Sequence, residues 1–236
     1  MNELLIPRSN NRACFVGPTG SGKTVLARFC LGFYSNVIAV DPKHDWQIVG
    51  SRNSPTGYAY PNKPEYVTLR NRPVYLATDL NELRECMDEQ REQPYHILYR
   101  PPREHLIAAN ADKLDEVAGL VLERGHTTLY YDELYYVANG SDFQKRAPNY
   151  FYCVTTGRSK KVGVWASVQR PSWIPIIALS ETDIRSTFFL RHADDRKRME
   201  KLMGDGVPWD KLRTWRHSFV QANDMDSTNT MKLQIA

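Results

Sequence analysis

Gly17-Pro18-Thr19-Gly20-Ser21-Gly22-Lys23-Thr24 follows directly on the apolar run Ala13-Cys14-Phe15-Val16 and leads into Val25-Leu26-Ala27-Arg28-Phe29-Cys30-Leu31. A strand-forming run, a glycine-rich octapeptide and a helix-compatible run, in that order, make the setting of a phosphate-binding loop, and the octapeptide meets every fixed position of the Walker A pattern. Its glycines accept backbone angles closed to other residues, so successive N–H groups curl around phosphate oxygens at the start of the next helix. Lys23 is expected to reach the β- and γ-phosphates, and the Thr24 hydroxyl to ligate Mg²⁺. Residues 17–24 are therefore the candidate nucleotide site, with ATP and Mg²⁺ as its expected occupants. An unrelated glycine-rich turn would need neither the strand before it nor the helix after it.

Outward from the loop, Asn36-Val37-Ile38-Ala39-Val40 ends in Asp41-Pro42 and reads as a buried parallel strand that delivers Asp41 to its C-terminal edge. The stretch through Gly50, Ser51, Pro55, Gly57, Pro61 and Pro64 is turn-rich and predicts a long loop, with short strands at 66–69 and 73–76. A helix is expected over 80–90 with Thr78 or Asp79 as its N-cap, then a strand over 96–100 closed by Pro101-Pro102. Leu114, Val117, Ala118, Val121 and Leu122 share one face of a second helix over 111–123. Further strands are expected over 127–133, 162–169 and 183–190, helices after Pro148 and over 194–203, and a hairpin about Asn223-Asp224. Alternating helices and buried strands predict an α/β fold, a mostly parallel central sheet with helices on both faces and ligands at the strands' C-terminal edge. The length suits one domain, 1–236, with 207–236 as a C-terminal extension.

The formal net charge is +4, which permits an anionic partner without demanding one. No run approaches the length of a membrane span, and residues 1–8 lack a basic leader and a long apolar core, so a cytoplasmic protein is expected. Cys14, Cys30, Cys86 and Cys153 are widely spaced and expected to be reduced thiols. The six His show no metal-ligand spacing, and no Ser/His/Asp or Cys/His arrangement is legible.

Leu129-Tyr130-Tyr131-Asp132-Glu133 has the form of a Walker B strand. Asp132 is expected to hold Mg²⁺, usually through water, while Glu133 orients and deprotonates the attacking water. That second acid favours hydrolysis over transfer to a small-molecule acceptor, in which water is excluded rather than activated. Gln169 ends the next strand, where an amide can touch the γ-phosphate or the lytic water. Taken by itself, such a glutamine more often bonds loop backbone.

Four stretches together resemble the FtsK/HerA superfamily of P-loop ATPases: GPTGSGKT at 17–24, Val40-Asp41-Pro42 with Asp45-Trp46 shortly after, Tyr131-Asp132-Glu133, and GRSKKVGVWASVQRPSWIP at 157–175. The resemblance spans about residues 10–206, and the last block is its specific part. It implies a RecA-like motor, commonly a hexameric ring, that pumps double-stranded DNA. A bare motor of this size is similar to the genome-packaging ATPases of double-stranded DNA viruses, with capsid or viral membrane vertex proteins as possible partners. The resemblance also implies an arginine given in trans to the neighbouring subunit's γ-phosphate. Arg158 matches the basic position ahead of the sensor strand, with Arg185 and Arg196 as rivals; a solvated arginine or surface ion pair is the plain alternative for each.

DNA contacts in such a ring are expected from pore-facing loops. Between 142 and 170 the chain carries Lys145, Arg146, Arg158, Lys160, Lys161 and Arg170 against Asp142. Lys145 and Arg146 are the first candidates, Lys43 and Arg52 the second; a merely solvated face explains the same run. Trp46 and Trp173 are loop aromatics that could pack on adenine, though ordinary packing is the plainer role. Two functions stay open: an ATP-hydrolysing double-stranded DNA translocase of the viral packaging kind, and an assembly or secretion ATPase whose load is protein.

Overall fold

Alternate residues of each central strand enter two different cores. Cys14 and Val16 join one with Ile38, Val40, Leu129, Tyr131, Val164 and Ala166, while Ala13 and Phe15 join the other with Val37, Ala39, Tyr130 and Trp165. Strands buried on both faces need apolar residues at every position, which is why these runs are continuous rather than alternating. A computed structural model describes residues 4–51, 54–59, 74–107, 111–215, 217–223 and 229–232.

Eleven strands and eight α-helices lie among the described residues. They are β1 (Arg12–Val16), α1 (Lys23–Leu31), β2 (Asn36–Val40), β3 (Gln47–Ser51), β4 (Ser54–Ala59), β5 (Val74–Ala77), α2 (Leu80–Glu89), β6 (Tyr95–Tyr99), α3 (Ala111–Arg124), β7 (Thr128–Tyr131), α4 (Phe143–Arg146), α5 (Pro148–Thr156), β8 (Gly163–Val168), α6 (Ile176–Ser180), β9 (Ile184–Phe188), α7 (Ala193–Met203), α8 (Trp209–Thr214), β10 (Ser218–Asn223) and β11 (Asn229–Lys232). The main sheet runs β11-β10-β9-β1-β8-β7-β2-β6-β5. From β9 to β5 every neighbour is parallel, and β10 and β11 close the far side as an antiparallel pair. Residues of α2, α3 and α5 (Leu83, Leu114, Val117, Val121, Tyr150, Val154) line the first core, and Leu26, Ala27, Cys30 and Leu31 of α1 line the second. Helices thus cover both faces, as the alternation predicts.

The register aligns the strand ends. Val16 pairs with Val168, Ala166 with Tyr131 and Tyr131 with Val40. The ladder continues one residue further: Gly17 N donates to Val168 O, Asp132 N to Val40 O and Asp41 N to Tyr99 O, at 2.8–3.0 Å. Gly17, Asp41, Asp132 and Gln169 therefore emerge side by side at one edge.

Most expected elements form within a residue or two. Asp79 rather than Thr78 caps α2, accepting from Asn81 N and Glu82 N. Two differences stand out. Part of the turn-rich stretch is not loop but the β3–β4 hairpin, a separate two-stranded sheet. The short helices α6 and α8 have no counterpart in the expected pattern. Among the described residues from 207 onward lie α8, β10 and β11, with Phe219, Val220 and Ala222 buried and β10 paired to β9. The expected strand at 66–69 and the turn at 224 lie outside the described residues. No helix among the described residues is long and apolar enough to cross a membrane.

Candidate active site

The loop after β1 has the backbone that its glycines predict. Gly20 and Gly22 have φ of 76° and 108°, the left-handed region that a side chain strains to enter. Gly17 is held by space instead: a Cβ there would stand 2.7 Å from Ser21 Oγ and 2.9 Å from Phe188 Cβ. Lys23, only 6% exposed, bonds Pro18 O at 3.1 Å. Burial and the nearby Lys43 push its pKa down to about 8, against the opposing pull of Glu133 and Asp132. Ser21 Oγ is buried without a hydrogen-bond partner among the described residues. A cradle of backbone N–H groups, a desolvated ammonium and an unsatisfied hydroxyl are what an incoming polyphosphate would satisfy.

The two acids stand opposite this loop. Thr24 Oγ1 donates to Asp132 Oδ1 at 2.9 Å, so the hydroxyl and carboxylate expected to share a cation are already in contact. Hard oxygen donors of this kind fit Mg²⁺, which keeps most of its waters. Tyr130 OH also donates to Asp132 Oδ1 (2.5 Å), and Trp46 Nε1 donates to Oδ2 (2.9 Å). Glu133 is next, 8% exposed, with Lys43 Nζ at 3.3 Å from Oε2. Burial raises its pKa, partly offset by Lys43 and Lys23, which moves the carboxylate toward a useful base.

β8 lies between β1 and β7, so its end separates loop from acids. Thr19 Oγ1 lies 3.3 Å from Gln169 Oε1, which brings the expected sensor residue onto the loop itself. The following residues brace β8 against α7: Arg170 Nε donates to Asp195 Oδ2 (2.7 Å), Ser172 N to Asp195 Oδ1 (3.0 Å), and the Arg170 guanidinium lies over the Trp173 ring. Gly17 to Thr24, Asp132, Glu133 and Gln169 are thus brought together.

The remaining candidates lie elsewhere. Arg158 is at the opposite, N-terminal edge of the sheet, ion-paired with Asp183, which also accepts from Arg12 N at 2.7 Å. Arg185 donates to Ser180 O, and Arg196 to Leu190 O and Arg191 O. Lys145 is exposed on α4, whereas Arg146 bonds Asp142 and Asn139 and braces the turn between them. Arg52 lies outside the described residues. Trp46 is fully buried under the Arg28 guanidinium, and Trp173 is half exposed against Tyr135.

The sequence named Trp46, Tyr130 and Lys43 without their contacts to the acids, and it pointed to no role for a further group beside the loop. Trp46 and Tyr130 hold Asp132, and Lys43 meets Glu133 rather than solvent alone. Arg191, Arg213 and His217 line a cleft on the outer side of the loop, with His217 Nδ1 3.2 Å from Ser21 O. The Asp-Pro-Lys run after β2 was the available signal for Lys43; the last group has no local motif. Among the described residues no cluster of His, Cys, Asp and Glu suits another metal, and the four cysteines are free thiols.

No protein-family model matches this sequence, and no curated protein sequence matches it. Solved structures do. The genome packaging NTPase B204 from Sulfolobus turreted icosahedral virus 2, in complex with AMPPCP, is similar with a TM-score of 0.65 at 18% identity, over 95% of this chain and 98% of that one. The DNA-packaging ATPase from Sulfolobus turreted icosahedral virus gives 0.62 at 18% identity, over 97% and 98%. The cytoplasmic domain of the Thermomonospora curvata type VII secretion ATPase EccC gives 0.53 at 12% identity, over 97% of this chain and 26% of that one. The chain has the P-loop NTPase fold that these structures share.

Proposed function

We propose that this chain, having the fold of the viral genome packaging NTPases, is a member of the FtsK/HerA superfamily that hydrolyses ATP to move double-stranded DNA into a capsid. The observation that carries the reading is the Thr24–Asp132 contact, with Glu133 beside it and Gln169 on the loop. Lys23 exchanges the Pro18 carbonyl for β- and γ-phosphate oxygens, and the loop's N–H groups take the rest. Thr24 and Asp132 are the residues to hold Mg²⁺, which supplies positive charge to the phosphate oxygens. Glu133 orients a water and accepts its proton as the water oxygen bonds the γ-phosphorus and the bond to the departing ADP oxygen breaks. Gln169 orients the same water and senses the γ-phosphate.

The motor is proposed to work as a ring of identical subunits, a hexamer, in the host cytoplasm, recruited to a capsid or membrane vertex. Arg158 is proposed to serve the neighbouring subunit's γ-phosphate, a role that requires it to leave Asp183. Lys145 and Arg146 are proposed to touch DNA phosphates; the exposure of Lys145 favours it over Arg146.

Glu133→Gln is expected to lower turnover at least about a hundredfold while nucleotide affinity stays within about twofold. Duplex DNA is expected to raise wild-type turnover, less so as salt increases. Turnover indifferent to DNA, capsids and packaging partners would sink the translocase. The likeness to a secretion ATPase favours a second reading, a protein load. Retention of nonspecific duplex on filters, lost when Lys145 and Arg146 are neutralised, separates the two.

A further inference from the structure

The sheet order gives the phosphate-binding loop two flanks. β8 and β7 bring Gln169, Asp132 and Glu133 to one of them, while the residues that follow β9 and precede β10 bring Phe189, Arg191 and His217 to the other. On that second flank residues 18–21 share a cleft of about 190 Å³ with Phe189, Arg191, Leu212, Arg213 and His217. Sites that enclose a whole drug-sized ligand run from about 300 Å³, so this cleft suits one end of a nucleotide rather than all of it. The γ-phosphate belongs with Glu133 and Gln169 on the first flank. The end left for the second is the nucleoside.

The lining suits that end. Phe189 and Leu212 are apolar, and Arg191 and Arg213 are exposed at the rim, where a guanidinium plane can stack on a purine face. His217 is held more closely. Its φ of 59° lies in the left-handed region, which residues other than glycine keep where the surrounding structure fixes them. Its Nδ1 lies 3.2 Å from Ser21 O. A carbonyl oxygen only accepts, so Nδ1 carries the hydrogen, and the neutral ring keeps Nε2 as an acceptor. A histidine bound to the loop backbone meets the part of the nucleoside nearest the phosphates, and that part is the ribose, whose hydroxyls donate. We propose that this cleft is the nucleoside subsite, in which His217 Nε2 accepts a hydrogen bond from a ribose hydroxyl and the Arg213 guanidinium stacks on the base. This rests on the ATP-binding reading above and assigns the sugar and base recognition of that same site to Arg213 and His217.

Equilibrium affinities for ATP, 2′-deoxy-ATP, 3′-deoxy-ATP and inorganic tripolyphosphate, measured by calorimetry without Mg²⁺ so that nothing turns over, test it. Wild type is expected to bind ATP about two- to tenfold tighter than at least one deoxy analogue, the factor for one neutral hydrogen bond. His217→Asn keeps a residue that tolerates the left-handed backbone; it should abolish that preference and leave tripolyphosphate affinity within about twofold. Arg213→Lys keeps the charge but not the plane, and should weaken ATP about two- to fivefold while tripolyphosphate binds as before. A wild type indifferent to both hydroxyls overturns the ribose contact. Equal losses of ATP and tripolyphosphate in His217→Asn also overturn it, since the histidine then only braces the loop. Unchanged ATP affinity in Arg213→Lys overturns the stacking. A wild type that shows these preferences yet fails to hydrolyse ATP with Mg²⁺ upholds the subsite and overturns only the ATPase reading.

Discussion

Asp132 accepts three hydrogen bonds on two oxygens, from Thr24, Tyr130 and Trp46. Its orientation is therefore set before any cation arrives. Trp46→Phe keeps most of the buried ring and removes only the Nε1 donor. Losing one hydrogen bond to a charged group costs about 1.5–3 kcal/mol, so Mg²⁺-dependent nucleotide affinity is expected to fall roughly ten- to hundredfold. Affinity without Mg²⁺ should hardly change, and titration of a fluorescent nucleotide with and without the cation checks the difference. At this scale the loop and the acids were legible because their chemistry demands fixed spacing in sequence. Trp46 was not: its partner lies 86 residues away, and nothing local distinguishes a tryptophan that donates to a carboxylate from one that packs.

Elements are tied at their other ends by a cluster of opposite charges. Asp183 precedes β9, Arg12 opens β1 and Arg158 lies in the turn before β8, and all three meet at the edge remote from the loop. Burial raises the Asp183 pKa, but the bonds from Arg158 and from the Arg12 backbone and side chain outweigh it and hold the carboxyl below its ordinary value. A carboxyl whose folded pKa is depressed contributes stability that is present above its unfolded pKa and lost as pH falls through the folded one. Asp183→Asn is thus expected to cost about 1–3 kcal/mol near neutral pH, and the gap to wild type should start to narrow only as pH falls below about 4. Urea unfolding at both pH values reads it. Elements with a strong local signature were legible, such as α2 with Asp79 at its cap and β8 with its unbroken apolar run. The β3–β4 hairpin was not, because Gly50, Pro55 and Gly57 weaken any strand pattern there. Helices of five or six residues, α6 and α8, are too short to show a periodic face.

For the whole molecule, the segment from 207 onward decides whether β9 is an interior strand or an exposed edge. β10 pairs along β9 from Ile184 to Phe188, and Phe219 packs on Phe188 with ring centroids 5.3 Å apart. Burying Phe219 and Val220 contributes about 1.5–3 kcal/mol each. A chain ending at residue 206 would bare that edge and the apolar floor beneath the loop, and is expected to aggregate. Light scattering and thermal melting check this; a shortened chain that stays monodisperse with an unchanged Tm would show the segment to be an appendage.

The interposition of β8 between β1 and β7 has a mechanical consequence. The phosphate-binding loop and the proposed base Glu133 ride on strands that are not neighbours in the sheet, about two strand spacings or ~9.6 Å apart. They work like the jaws of a caliper, with Gln169 on the bar between them. In the proposed motor, force that shears or retwists the sheet would act first on the Thr24–Asp132 contact that bridges the two, so an opposing load is expected to slow the chemical step before it expels the nucleotide.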